Sequence, residues 1–235
     1  MMTEAEWLAC TQSGPMLGFL GSKATQRKLR LFGVACCRLN WDTLTDQRLR
    51  DAVEIAEHFA DGRVDENRRS AAEIGVMDAL EEEYDGELDY IFTLARDVLS
   101  LVATRPYLSV DAIRCSLSTA HWALIGNAEA GYQEFGCDVE ADHIEILRDI
   151  FGNPFRPVTV DPAWRTSTVL VFARQVYESR DFSVMPILAD ALQDAGCDYP
   201  EILDHCRGPG PHVRGCWVVD LVLAKEKSQA IVLVE

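Results

Sequence analysis

The chain has 235 residues, 48% of them apolar and 26% charged, with a formal net charge of −16. That length suits one sizeable domain or two small ones, and the composition excludes a disordered chain. The charge is uneven: residues 81–150 carry 15 acids against 4 bases, and such a surface repels a phosphate backbone, which argues against nucleic-acid binding.

The start, MMTEAEWLAC, has neither the basic opening nor the apolar stretch of a secretory signal. No apolar run reaches the length of about 18 residues that a membrane span needs. A cytoplasmic location is therefore expected, with no membrane partner. The eight cysteines then read as reduced thiols. Cys10, Cys36 and Cys115 sit in apolar helical patterns, as small core residues do.

Helical signals dominate from the first residues. Thr3 and Glu6 have capping-box spacing. Gly14-Pro15 reads as a break before a second short turn or helix in MLGFL. Over 24–40, Leu29, Phe32, Gly33, Cys36 and Leu39 recur at three- and four-residue steps. Thr45 is a cap for a helix ending at Gly62, with Leu49, Val53, Ala56 and Ala60 on one face. Further helices are expected over 65–83, 87–103, 110–131 and 138–151. The acidic run EEEYDGELD, residues 81–89, reads as a solvated helix end.

FGNPFRPVTVDPAW, residues 151–164, interrupts this pattern with three prolines. It reads as an extended crossing segment that packs Phe151, Phe155 and Trp164. Helices are then expected over 165–180, over 183–195 with Pro186 in the first turn and Gly196 at the end, and over 199–205. Residues 213–224 are apolar and β-branched enough to be helix or strand. The tail 226–235 reads as a short edge strand or a frayed end. The fold class is all-α: an antiparallel helical bundle or an irregular helical-repeat array. It forms one domain over 1–235, with 1–150 and 163–235 as candidate subdomains joined by 151–162.

TEAEWLAC, KLRLFGVACCR, LRDIFGNPFRPV, DPAW, PILADALQDAGC and HCRGPGPHVRGCWVVDL together resemble a paralogous family of planctomycete bacterial proteins. The resemblance covers roughly residues 3–225. It implies a bacterial intracellular origin; no activity is assigned to that family.

Chemistry-bearing residues concentrate in HCRGPGPHVRGCW, residues 205–217. Cys206, His212 and Cys216 form C-x5-H-x3-C, residue types that hold zinc in tetrahedral sets. Paired ligands two residues apart are missing, and Cys197, Cys137, His143 or the Cys36-Cys37 pair would have to supply a fourth. Arg207, Arg214, Gly208 and Gly210 could instead cradle an anion, although the phosphate-loop pattern is absent. A reactive Cys206 beside His205, and redox chemistry at Cys36-Cys37, are further readings. The plain reading is a tight turn that feeds Trp217 into the core, with Arg214 or Arg207 neutralising Asp220. His58 and His121 sit on apolar helix faces as core histidines, and no serine-hydrolase or metalloprotease signature occurs. The leading expectation is a non-enzymatic interaction or scaffold module with a protein partner. The alternative is a zinc- or anion-binding protein that uses residues 205–216.

Overall fold

The computed structural model describes residues 2–83, 98–99, 102 and 139–225. The helix expected over 110–131, His121, Cys115, Cys137 and the tail 226–235 lie outside the described residues. Every regular element among the described residues is helical, ten α-helices and three 3-10 turns, and the protein is all-α. No helix among them is long and apolar enough to cross a membrane. Packing divides the chain into two units, Met1–Met2 with Ala9–Ile144, and Thr3–Leu8 with Glu145–Glu235.

The first unit contains α2 (Ser13–Leu20), α3 (Gln26–Leu39), α4 (Gln47–Ala60), α5 (Glu66–Glu83) and the start of α6 (Val139–Phe151). α3, α4 and α5 pack as successive neighbours through short connections. Their shared core takes Val34 and Cys37 from α3, Leu49, Ala52, Val53 and Ala56 from α4, and Val76 and Ala79 from α5. These are the steps of one helical face. α2 starts earlier than its sequence suggests: Pro15 lies inside its first turn, where a missing N–H costs little. α4 is capped by Asp46 rather than Thr45. The Asp46 carboxylate accepts the Arg48 N–H at 2.6 Å and also holds the Arg48 guanidinium at 2.7 Å, a double role that a hydroxyl cannot fill.

The second unit begins with Thr3–Leu8, which holds α1 (Glu4–Ala9) except its last residue. The capping box forms: Thr3 N–H donates to Glu6 Oε2 at 2.7 Å, and Glu6 N–H to Thr3 Oγ1 at 3.3 Å. The chain returns at Glu145 and continues through α7 (Ser167–Ser179), α8 (Met185–Asp194), α9 (Pro200–Arg207) and α10 (Trp217–Leu223). α7 packs on α8 and α10, and α8 packs on α9. Their core includes Val169, Ala173, Val176, Leu188, Leu192, Ile202, Val218 and Val222. The segment after α6 buries Trp164, edge-on to Tyr199 at 5.7 Å, while Phe151 and Phe155 are half-buried.

The ambiguous stretch near 213–224 resolves as helix α10. Its valines have strand propensity, yet Val218, Val219 and Val222 bury one helical face against α7. Tertiary burial outweighs a preference of a few tenths of a kcal/mol per residue.

Leu188, on α8, is fully buried in this core. Leu188→Ala should cost about 2–5 kcal/mol, read as a lower denaturant midpoint; a loss under about 1 kcal/mol would contradict this packing.

Candidate metal centre

Four polar side chains of the second unit converge on one point: Asp149, His205, His212 and Cys216. One ligand atom from each lies within 4.8 Å of all the others. Asp149 comes from the last turn of α6, among the buried Ile146, Leu147 and Ile150. His205 comes from the last turn of α9, where Ile202, Leu203 and Cys206 face the core and leave His205 on its flank. Gly208 ends that helix, its N–H donating to the Asp204 carbonyl at 2.8 Å. Gly210 sits at φ +86°, and the Gly210–Pro211 peptide is cis. His212 follows in the loop, and Cys216 is the N-cap residue of α10.

The contacts are short and centred on the carboxylate. His212 Nδ1 lies 2.8 Å from Asp149 Oδ1, and His205 Nε2 lies 3.1 Å from the same oxygen. The Val213 N–H donates to Asp149 Oδ2 at 2.9 Å. His205 Nε2 is also 3.1 Å from Cys216 Sγ. The two imidazoles meet edge to face at 4.8 Å, and His205 lies 5.2 Å from the Trp217 ring. Asp149 is 2% exposed. Burial by itself pushes its carboxyl up. The hydrogen bonds from His205 and His212, the His205 charge and the Val213 N–H outweigh burial and hold it below the ordinary carboxylate range.

The thiols behave in the opposite way. Burial, then the Asp149 charge, raises Cys216 well above its usual value, although the Val219 and Val218 N–H groups at the start of α10 pull it down. Burial and Asp149 likewise push Cys206 up to about 12. Both are neutral thiols at neutral pH, not the thiolates that nucleophilic catalysis requires. His205 uses one nitrogen for both Asp149 and Cys216, so it cannot relay a proton from sulfur to carboxylate as a triad does. A divalent cation would change this balance. It would draw the thiol proton off and answer the Asp149 charge directly.

The loop residues singled out by sequence separate here. His212 and Cys216 are in the cluster. Cys206 is fully buried in the helical core, and the donor set takes Asp149 and His205 beside the two expected residues. Arg207 donates to Asp190 at 2.7 Å and to Gln193 at 2.6 Å. Arg214 is buried over the Tyr177 ring at 4.5 Å, and Asp220, its expected ion-pair partner, is buried in the same unit. Gly208 N–H is used within α9. Among the proposed fourth ligands, Cys197 lies in the core of the second unit, while His143, Cys36 and Cys37 belong to the first. Asp149 escaped the sequence reading, although a signal was present: an acid one residue from Ile150 and two from Leu147, on the side of a helix that must be buried.

Gly152 supports the centre from behind. It has φ +64°, and a Cβ there would lie 3.2–3.4 Å from three atoms of the Trp217 ring. No protein-family model, curated protein or solved structure matches the chain.

Three stability outcomes follow for the metal-free protein. Asp149→Ala leaves two imidazoles and the Val213 N–H without this acceptor, and should cost about 3 kcal/mol or more by denaturant unfolding. Because the folded carboxyl titrates below its unfolded value, this stabilisation is complete above about pH 4 and is lost as pH falls through the folded value. Asp149→Asn should therefore flatten the acid limb of the stability profile; an unchanged limb would show that Asp149 does not carry it. Gly152→Ala should cost about 1–3 kcal/mol from the left-handed backbone and the tight ring contact, checked by thermal midpoint.

Proposed function

We propose that the second unit binds one zinc ion through Asp149, His205, His212 and Cys216, and that the ion's role is structural. The observation that carries this reading is the convergence of an oxygen, two imidazole nitrogens and a sulfur at one point, the Asp149 and Cys216 donors buried and the two imidazoles partly so. Zinc takes these donors at about 2.0–2.3 Å in a tetrahedron, which sets neighbouring donors about 3.3–3.7 Å apart. Three of the present separations, at 2.8–3.1 Å, are hydrogen-bonded ones, and all four donor atoms lie within 4.8 Å of one another, so the short pairs must open and any longer ones close as the ion enters.

The surroundings favour the same reading. Metal-bound carboxylates and thiolates are oriented by outer hydrogen bonds. Here Val213 N–H holds the far oxygen of Asp149, and the Val218 and Val219 N–H groups serve the Cys216 sulfur. Sulfur and imidazole donors disfavour calcium and magnesium, which take oxygen. Four protein donors leave no open position for a substrate, which distinguishes a structural from a catalytic zinc site.

A reducing cytoplasm suits a free Cys216 ligand. The interaction-module reading has less behind it. Among the described residues no helix carries more than two exposed large apolar side chains, so no element stands out as a docking face.

Protein purified without chelator and refolded with zinc should hold about one equivalent by elemental analysis. His212→Ala and Cys216→Ser should each weaken zinc binding by more than the about 10–100-fold that loss of an outer partner costs, whereas Cys206→Ser should leave the stoichiometry at one. Absence of bound zinc in the folded wild-type protein would refute the proposal.

A further inference from the structure

The second unit contains a piece of chain from far away in sequence. Thr3–Leu8 packs with residues from Glu145 onward, although Ala9 and the residues after it belong to the first unit. α1 is short, and an isolated helix of this length does not persist in water. Its order depends on what holds it.

Its holders lie in one stretch of nine residues. The Arg148 guanidinium donates to the Trp7 carbonyl at 3.1 Å and to the Leu8 carbonyl at 2.8 Å. These are carbonyls at the helix's C-terminal end, where a cation is favourable. Asn153 Nδ2 donates to Glu4 Oε1 at 2.7 Å, and the Arg156 guanidinium lies 2.5 Å from the same oxygen. Those two hydrogen bonds hold the Glu4 carboxyl below its ordinary range. The same stretch supplies Asp149, adjacent to Arg148, and Gly152, which abuts Trp217. The segment that grips α1 is therefore the segment that supplies the carboxylate of the metal centre.

We propose that metal occupancy at Asp149, His205, His212 and Cys216 controls the docking of α1, which makes the N-terminal helix a metal-responsive strap. It rests on the zinc reading above. A bound ion fixes the last turn of α6 against α9 and the 208–216 loop, and so fixes Arg148, Asn153 and Arg156 in register with α1. Without the ion, that turn is held by hydrogen bonds to one carboxylate, and the register of the clamp loosens. The two sites are coupled through the stretch 148–156, the last turn of α6 and the residues that follow it. Release of α1 uncovers Trp7, which is 1% exposed when docked.

Hydrogen exchange on the full chain tests this, with zinc chloride or EDTA as the only variable. Amides of residues 4–9 should exchange about tenfold faster in EDTA, while those of α8 change little. Arg148→Ala should bind one zinc and show fast exchange at 4–9 in both conditions; Glu4→Gln should weaken the protection in the same direction. One bound zinc with equal exchange at 4–9 in both conditions overturns the strap and leaves the metal reading standing. A rise in α8 as large as that in 4–9 also overturns it, because the ion would then hold the whole unit. No bound zinc removes both proposals together.

Discussion

A carboxylate that is 2% exposed must be answered by donors, and Asp149 is answered from three directions. Two imidazoles and one backbone N–H meet its oxygens, His205 from α9 and the adjacent His212 and Val213 from the 208–216 loop. The charge cannot be desolvated without them. That requirement sets where α9 must end, how the loop must return, and where α10 must begin. The apolar core supplies the driving force for the unit, but apolar burial has no direction. The carboxylate supplies the direction.

The same charge determines the chemistry. Together with burial, which is the larger cause, it keeps the neighbouring thiols neutral, so the centre is quiet toward electrophiles. It also attracts cations to a place already furnished with nitrogen and sulfur donors. A polar network of this kind is costly if any member is missing and firm when complete. Gly152 and Trp217 stiffen it further, because the glycine lets the end of α6 approach the indole that packs on His205.

Much of the architecture was legible in the sequence. The steps of three and four over 24–40 and 45–61 marked two helices that form; Leu49, Val53 and Ala56 lie on the core face of α4, whereas α3 turns Val34 and Cys37 into that core and leaves the expected Leu39 exposed. Pro186 and Thr3–Glu6 marked helix starts where they are found. Local chemistry was enough there, because periodicity and capping are properties of neighbouring residues. The site was half legible. His212 and Cys216 stood out within one loop, but Asp149 lies 63 residues from His212 and carries no motif of its own. Cys206 looked equivalent to Cys216 by letter, yet its helical position directs it into the core. Spacing within a loop cannot reveal a partner on another helix; a buried acid on an apolar helix face was the available sign. For 213–224 the ambiguity was real, since β-branched valines suit both states and only the packing against α7 decides.

X-ray absorption at the zinc edge of the loaded protein tests the central claim most directly. The account predicts one sulfur at about 2.3 Å and three nitrogen or oxygen donors at about 2.0–2.1 Å, with the sulfur shell lost in Cys216→Ser and retained in Cys206→Ser. A first shell of six oxygens, or a sulfur shell that survives Cys216→Ser, would contradict it.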